Sequence, residues 1–277
     1  MIINSKELLT DARKNRKCIA AFNVYNLETI QAVFDASEEV KSSVILAFGE
    51  SYIKNTSLNV ISAIVKEISQ KHSVPVVLHL DHCRDIDTIV AAMKVGFTSV
   101  MYDGSHLPFE ENIKNTKRVV DLAKSYGASV EGELGSLNAE DGGSKEDIVF
   151  TDPNKAREYI ESTGVDTLAV SVGNVHGLYK GVPNLDFDRL NNIYSEGKIP
   201  LVLHGSSGLS IDDLNRAIDI AVAKININTE IALAGSKAVE IALKEGKNVR
   251  LETLMVKARE NMKATMINYL KICSRNI

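Results

Sequence analysis

The sequence predicts an α/β fold, a closed (β/α)8 or TIM barrel with extra helices after the last strand. Eight short, apolar, β-branched runs alternate with segments whose apolar residues have helical spacing. Such alternation indicates parallel strands joined by right-handed crossovers, and eight units within about 250 residues match a barrel. The alternative is an open doubly wound sheet, which should carry a G-x-G-x-x-G turn after the first strand. The chain has AAFNVYN there, which favours the barrel.

The predicted elements follow in order along one domain, residues 1–277, without a linker or a repeat. The strands are expected at residues 19–22, 44–48, 74–80, 99–101, 129–131, 167–170, 200–203 and 224–227. Helices are expected between them at 27–40, 58–70, 86–95, 109–126, 154–162, 187–195 and 209–223, and after them at 230–244 and 251–273. The long polar segment 134–151 contains LGSLNAEDGGSKED, which is typical of a lid or a disordered loop.

The composition is that of an ordinary soluble globular protein, with 44% hydrophobic and 25% charged residues and a net charge of −4. This mildly acidic balance argues against nucleic acid or an anionic membrane as the main partner. The first residues lack the apolar segment of a signal peptide, and no apolar run approaches the ~18–20 residues of a membrane span. Three scattered cysteines, Cys18, Cys83 and Cys273, favour a reducing compartment. We therefore expect a cytoplasmic protein.

Polar residues gather where the predicted strands end, which is where the chemistry of a barrel is located. They are Asn23, Asp81, His82, Asp103, Glu131, Glu133, His176, His204, Asn226, Asn228 and Thr229. Three of the six histidines belong to this set, after strands three, six and seven. Three imidazoles with an open fourth position are a common arrangement for catalytic zinc. The alternative, for each histidine alone, is a hydrogen-bonded structural residue.

Asp81, beside His82, has four possible roles. A carboxylate next to a metal can support a ligand, can itself be a ligand, or can act as a general acid/base. It can also cap the helix that follows the strand. The sequence leaves these roles open.

A Gly-rich turn predicts a phosphate site. G205-S206-S207-G208 precedes a predicted helix, and backbone N–H groups at such a turn and at a helix N-terminus bind anions. Barrel phosphate sites are frequently built by the loops after strands seven and eight, here 205–208 and 226–229. Lys180, in HGLYKG, is a candidate for an added positive charge. The alternative is a plain turn with an N-cap serine.

The motifs AFNVYN, LHLDHC, VEGELG, GNVHGLYKG, LVLHGSSG and KININTE resemble those of the class II, metal-dependent ketose-bisphosphate aldolases. The resemblance runs from about residue 19 to residue 232 and is strongest to the tagatose-bisphosphate and shorter fructose-bisphosphate enzymes. It implies reversible cleavage of fructose or tagatose 1,6-bisphosphate to dihydroxyacetone phosphate and glyceraldehyde 3-phosphate. Zinc would stabilise the enediolate formed when the carbon–carbon bond breaks. A homodimer or homotetramer is also implied.

The resemblance implies a role for each site residue. His82, His176 and His204 would hold Zn²⁺, Asp81 would be the general acid/base, and Asp103 and Glu133 would serve an alternative or buried metal position. The lid acid that exchanges the substrate proton would be Glu140 or Asp141. The backbone of Gly177 and Gly205 would bind a monovalent cation, Na⁺ or K⁺. The substrate and its phosphate would contact Asn23, Gly177, Lys180, Gly205, Ser206, Ser207, Asn226, Asn228 and Thr229.

Two departures from the family pattern concern the substrate. Gly49 stands where many fructose-bisphosphate enzymes have a phosphate-binding serine, and Ser51 is the alternative donor nearby. Asn228 stands where those enzymes usually have aspartate, so the charge is lost and an N–H donor is gained. Another ketose 1-phosphate is therefore an alternative substrate.

Other function classes also stay open. A different metal-dependent barrel enzyme, such as a hydrolase, would use a metal-bound water and would not need the phosphate cradle. A non-catalytic sugar-phosphate sensor would bind without turnover. A Schiff-base aldolase needs a buried lysine, but Lys224 begins the predicted eighth strand and is expected at the wrong end of the barrel.

Overall fold

Eight parallel strands close into a barrel in which each strand pairs with the next and β1 pairs with β8. The computed structural model describes residues 1–136, 149–177, 179, 181–246 and 249–275. The strands are β1 Ile19–Asn23, β2 Val44–Gly49, β3 Val76–Cys83, β4 Ser99–Tyr102, β5 Ser129–Leu134, β6 Thr167–Val170, β7 Leu201–Leu203 and β8 Val222–Ile227. The predicted TIM barrel is confirmed, and the open sheet is excluded.

The helices surround the barrel. They are α1 Ser5–Lys14, α2 Leu27–Val40, α3 Leu58–Ser69, α4 Ile86–Val95, α5 Phe109–Lys124, α6 Pro153–Thr163, α7 Phe187–Gly197, α8 Ile211–Ile220, α9 Thr229–Glu245 and α10 Leu251–Ser274. A 3₁₀ turn, Glu50–Tyr52, follows β2. Within the described ranges no helix has the length and apolarity needed to cross a membrane.

Helix α1, which the sequence analysis did not predict, packs against the inner residues of the barrel at the strands' N-terminal ends. Leu9 and Ala12 pack there with Ile19 and Ala223. The hydroxyl of Ser5 lies 3.1 Å from that of Ser99, inside the barrel. This helix therefore shields the bottom of the barrel from water, opposite the C-terminal face where barrel sites are built.

The inside of the barrel divides into an apolar part and a polar part. Small and medium apolar side chains from several strands are buried there, among them Ala21, Ala47, Val77, Ala169 and Val202. The polar part is built by His79, Ser99, Glu131 and Lys224, each 3% exposed or less. Because side chains alternate along a strand, the same strands present a second apolar layer outward, against the helices.

Strand β8 begins two residues earlier than predicted. Lys224 is its third residue, and the ammonium group lies inside the barrel, 2.7 Å from Glu131 Oε2. Helix α8 is correspondingly shorter than predicted, since Ser210 caps its first turn and it ends at Ile220.

Candidate active site

His82 points into the barrel mouth because the backbone of β3 is distorted there. Successive strand residues normally face opposite sides, yet Asp81 and His82 line the same pocket. His82 has φ +47°, in the left-handed region, and the pairing with β4 shifts register between Leu80 and Cys83. Such a bulge re-aims a side chain and is typical of active-site edges. The dipeptide Asp81-His82 therefore supplies two groups to one site.

The three predicted zinc-binding histidines come together. His176 lies in the loop after β6, and His204 follows β7 directly. The ring centre of His82 is 4.4 Å from that of His204 and 5.0 Å from that of His176. One ring nitrogen from each histidine lies within 4.8 Å of the other two. A single ion between the three rings is compatible with this spacing.

A buried network of hydrogen bonds and an ion pair inside the barrel holds the His204 ring in place. Its Nε2 lies 2.9 Å from Glu131 Oε1, and Glu131 Oε2 accepts a 2.7 Å bond from Lys224 Nζ. Lys224 Nζ is also 3.3 Å from His79 Nε2, and His79 Nδ1 is 2.7 Å from Ser99 Oγ. Burial and the charge of Lys224 lower the pKa of His79 to about 3, so this ring is neutral. With Nε2 of His204 held by a carboxylate, Nδ1 is the nitrogen left for a metal ion, and it lies 3.0 Å from His82 Nε2.

Glu131 and Lys224 are site-supporting residues whose roles the sequence analysis missed. The available signal was the alternation of Glu131 and Glu133 along one strand, which places both carboxylates on the inner face. Burial opposes ionisation of Glu131, but Lys224 and the bond from His204 outweigh it and hold the pKa of Glu131 below its usual range. The pair is therefore an ion pair inside the barrel.

The field at His82 favours a positive charge. Its Nδ1 lies 3.6 Å from Glu133 Oε2 and 3.9 Å from Asp103 Oδ2, and these three residues form a second group that could hold a metal ion. Burial opposes protonation, but Asp81, Asp103 and Glu133 outweigh it and raise the pKa of His82 to about 10. Burial and the charge of Asp103 raise the pKa of Glu133 to about 8. A cation would relieve this crowding of carboxylates.

Asp103 has partners on both oxygens. Oδ1 accepts bonds from the amide and hydroxyl of Ser105, and Oδ2 accepts two from Arg84. Burial opposes ionisation, but bonds from His82 and Ser105 and the charge of Arg84 hold the pKa of Asp103 below its usual range. Glu133 Oε2, by contrast, is buried without a hydrogen-bond partner. Such an atom is the one most in need of an ion or a proton.

Asp81 is held by two amides at the bottom of the pocket. Asn23 Nδ2 donates to Oδ2 at 3.0 Å, and Asn226 Nδ2 donates to Oδ1 at 3.1 Å. Asp81 does not cap the following helix, because Asp85 accepts that bond from the Thr88 amide. The capping alternative is therefore wrong. The free acceptor Asn226 Oδ1 is buried without a partner at the same place.

The turn after β7 has a backbone that needs glycine. Gly205 has φ +62°, and a Cβ at this position would overlap the carbonyl oxygen of Val175. The loops after β6 and β7 are therefore in contact through their backbones. Asn174, which the sequence analysis did not single out, ties them by donating a 3.0 Å bond to the His204 carbonyl. The hydroxyl of Tyr179 adds a 2.9 Å bond to the Gly205 carbonyl, one of the oxygens expected to bind a monovalent cation.

Among the described residues predicted to contact the substrate or its phosphate, all but one line the same pocket. Gly177, Gly205, Ser207 and Thr229 all line it. Ser206 does not, because its hydroxyl donates to the Leu203 carbonyl and its amide to the Asn226 carbonyl. This residue is fully buried and its hydroxyl is engaged within the turn, and its predicted substrate contact stays a prediction.

The pocket at the centre of these residues has a volume of about 310 Å³. It is lined by Asn23, Asp81, His82, His176, Gly177, His204, Gly205, Ser207, Asn226, Asn228, Thr229, Ala232 and Leu233. Three predicted residues, Glu140, Asp141 and Lys180, lie outside the described residues. A site of this size accepts a small polar metabolite.

Comparison with known proteins identifies the family. The model of the class II fructose-bisphosphate aldolases matches residues 3–276. The chain belongs to this family. This aldolase is therefore a carbon–carbon lyase by membership, as the sequence motifs predicted.

Solved structures agree with the membership. The YdjI aldolase from Escherichia coli K12 is 38% identical, with a TM-score of 0.88, over 99% of this aldolase and 97% of that chain. A Coccidioides immitis protein provisionally assigned as a fructose-1,6-bisphosphate aldolase is 28% identical, with a TM-score of 0.86, over 97% and 95% of the two chains. The fructose-bisphosphate aldolase of Campylobacter jejuni shares the fold at 24% identity and a TM-score of 0.83, over 99% and 95%.

Proposed function

We propose that this enzyme is a metal-dependent aldolase that reversibly cleaves a ketose 1,6-bisphosphate, fructose or tagatose, to dihydroxyacetone phosphate and glyceraldehyde 3-phosphate. The observation that carries the proposal is the meeting of three imidazoles, a fixed carboxylate and a glycine-rich turn suited to an anion in one pocket. A hydrolase would not need this anion site, and a sensor would not need Asp81 held at both oxygens.

The residues fit a bound Zn²⁺. Nitrogen ligands from His82, His176 and His204 have suitable spacing, Glu131 orients His204 by its other nitrogen, and nearby carboxylates favour a cation. When bound there, Zn²⁺ would supply Lewis-acid polarisation of the substrate ketone. Asp103 and Glu133 provide the alternative position with His82.

Asp81 is the proposed general acid/base. In the cleavage direction, one of its carboxylate oxygens takes the proton of the hydroxyl at the bond being broken, and in condensation it returns that proton. The amides of Asn23 and Asn226 fix the carboxylate in place and, as donors, favour its charged form. Asn226 Oδ1, buried without a partner, is suited to accept a substrate hydroxyl. Glu140 or Asp141 is the proposed lid acid.

The phosphate of the dihydroxyacetone half is proposed to bind between the loops after β7 and β8. Helix α9 begins at Thr229, so its first N–H groups and positive dipole end face this place. Glu230 braces the two loops, since its carboxylate accepts the Gly208 amide at 3.3 Å and also the Tyr269 hydroxyl. Lys180 is the proposed added charge, and a Na⁺ or K⁺ ion is proposed at the Gly177 and Gly205 backbone.

A second candidate substrate, another ketose 1-phosphate, is favoured by the two departures from the family pattern. Gly49 and Asn228 replace the serine and aspartate usual in fructose-bisphosphate enzymes. Among the described residues that line this pocket none is lysine or arginine, so none of them would pair as a cation with a second phosphate.

The test is the release of dihydroxyacetone phosphate from fructose 1,6-bisphosphate and tagatose 1,6-bisphosphate in one coupled assay, with and without EDTA. Release that EDTA abolishes and Zn²⁺ restores supports the proposal, and the ratio of the two rates gives the preference at C4. Absence of release from both bisphosphates, with release from other ketose 1-phosphates, would support the second candidate. Hydrolysis without a triose product would refute both.

We also propose that the enzyme acts in the cytoplasm as a homodimer or homotetramer. The three cysteines are free thiols and buried, which suits a reducing compartment. Size-exclusion chromatography with light scattering tests the oligomeric state.

A further inference from the structure

Tyr52 links the two positions at which this chain departs from the fructose-bisphosphate enzymes. It lies in the 3₁₀ turn after β2, and its hydroxyl is 3.2 Å from Nδ2 of Asn228, at the end of β8. The ring also stands against Gly49. One side chain therefore touches both departures, although they lie 179 positions apart in the sequence.

Asn228 does not perform the structural task that its position suggests. It is the N-cap residue of α9, where asparagine normally accepts a hydrogen bond from the first turn of the helix. Here its side chain makes no capping bond. The amide donates to Tyr52 instead, while the residue lines the pocket. With one N–H of Nδ2 engaged by Tyr52, the amide is oriented, and it offers its carbonyl oxygen and its second N–H to a ligand.

Gly49 provides the space for this arrangement. A Cβ at this position would lie 3.2 Å from Cε2 and 3.4 Å from Cδ2 of the Tyr52 ring. The first distance is tighter than ordinary van der Waals contact, so a side chain at this position would require the Tyr52 ring to shift by a few tenths of an ångström. The glycine and the asparagine are thus parts of one arrangement.

The Tyr52 ring is held firmly. It packs edge-on against Tyr25 and Phe48, with ring centres 5.4 and 6.0 Å away. The preceding Glu50 accepts bonds from the Arg84 amide at 3.2 Å and the Cys83 thiol at 3.3 Å, which fixes the turn to the end of β3. A fixed hydroxyl can orient an amide without losing much entropy on binding.

Asn228 borders the proposed phosphate cradle, and Tyr52 reaches it from the opposite side. The cradle lies between the ends of β7 and β8, whereas Tyr52 follows β2 and meets Asn228 across β1. Asp81, from β3, reaches the bond being broken. Asp81 and Asn228 line the same pocket, whereas Tyr52 is not among its lining residues, so a ketose that fills the pocket meets the Asn228 amide, and Tyr52 acts through that amide.

We propose that Tyr52 is a positioning residue that holds the Asn228 amide so that its carbonyl oxygen accepts a hydroxyl group of the aldehyde half. Gly49, Tyr52 and Asn228 together select a hydroxylated aldehyde for condensation with dihydroxyacetone phosphate. This inference rests on the proposed aldolase function and specifies how its second substrate is recognised.

The experiment measures two reactions of the zinc-loaded enzyme. Exchange of the C3 proton of dihydroxyacetone phosphate with solvent reports the aldolase chemistry without an aldehyde. Condensation is then measured with D-glyceraldehyde, which carries hydroxyls, and with propanal, which has none. The variants are Tyr52→Phe, Asn228→Ala, the double variant and Gly49→Ala. Tyr25→Phe is the matched control, because it removes a hydroxyl from the same ring cluster.

Tyr52→Phe is expected to raise the KM for D-glyceraldehyde about five-fold, the effect of one hydrogen bond. The KM for propanal, kcat and proton exchange should stay unchanged, as should every value for Tyr25→Phe. In the Asn228→Ala background, Tyr52→Phe should not raise the KM for D-glyceraldehyde further. Gly49→Ala should raise this KM, as Tyr52→Phe does.

Three results would overturn the inference, and they distinguish failure of the positioning role from failure of the aldolase function. Normal proton exchange with an unchanged KM for D-glyceraldehyde in Tyr52→Phe, or equal changes for both aldehydes, would refute the positioning role alone. Absence of proton exchange in the unaltered enzyme would refute the aldolase function and the inference with it. Substituting glyceraldehyde 3-phosphate for D-glyceraldehyde then shows whether the selected aldehyde is phosphorylated.

Discussion

Replacing Lys224 by methionine removes a buried charge from the support beneath His204. The ammonium group lies 2.7 Å from Glu131 Oε2, and the two side chains are 1% and 3% exposed. Removing one partner of a buried ion pair costs about 3–5 kcal/mol, because the other charge stays buried. Glu131 retains the 2.9 Å bond to His204, so we expect the lower end, about 3 kcal/mol of unfolding free energy for Lys224→Met in the metal-free protein.

The same change should weaken metal binding. With Lys224 absent, the pKa of Glu131 rises and its hold on His204 loosens, and loss of such support typically lowers metal affinity about 10- to 100-fold. Urea unfolding of the metal-free protein and Zn²⁺ competition with a chromophoric chelator measure the two effects. Lys124→Met, at an exposed pair with Asp121, is the control and should change neither.

A double variant tests whether the unpaired charge of Glu131 causes the loss of stability. In Lys224→Met/Glu131→Gln no charge remains unpaired, so it should be more stable than Lys224→Met alone, since an uncharged replacement of a buried pair is often tolerated. If the double variant were no more stable than the single one, or if Lys224→Met bound Zn²⁺ like the parent, the reasoning would be refuted.

Three further predictions concern the pocket itself. Asn23→Ala removes one of two amide bonds to Asp81 and should lower kcat about ten-fold, equivalent to about 1.4 kcal/mol, without changing metal content; unchanged kcat would contradict the role of this amide. Gly205→Ala should raise the KM for the ketose phosphate and lower the thermal midpoint, whereas Gly181→Ala, with open space around it, should do neither. The pKa of His82 is raised from 6.5 to about 10, so the stability that its charge gives the metal-free protein is complete below pH 6.5 and is lost as the pH rises toward 10. The urea midpoint of the parent should therefore fall between pH 6.5 and 10, and the midpoint of His82→Gln should fall less.

The strands were predictable because each is a short apolar run that ends at a polar residue. The sequence analysis missed α1, since SKELLTDARK is mostly polar and buries Ser5, Leu9 and Ala12 alone among its residues. It began β8 too late because a lysine is typical of a strand boundary, whereas the ammonium group of Lys224 forms an ion pair with Glu131 inside the barrel. Such a placement depends on a partner from another strand, which periodicity does not show.

The candidate site was predictable as far as barrel geometry determines it. Parallel strands bring their C-terminal ends together, so the convergence of His82, His176 and His204 could be anticipated from their positions alone. The contact of Tyr52 with Asn228 could not, because it joins loops on either side of β1 through the reach of one ring. The burial of Ser206 could not be predicted either, because it depends on the bond from its hydroxyl to the Leu203 carbonyl within the turn.

The most direct test of the account is the coordination of Zn²⁺ in the loaded enzyme by X-ray absorption spectroscopy. His82 belongs to two groups of residues that could hold the ion. One group contains His176 and His204, and the other contains Asp103 and Glu133. The account predicts three imidazole ligands, which fall to two in His176→Ala and stay at three in Asp103→Asn. A spectrum with one imidazole and two carboxylates, unchanged in His176→Ala, would contradict the proposed catalytic centre.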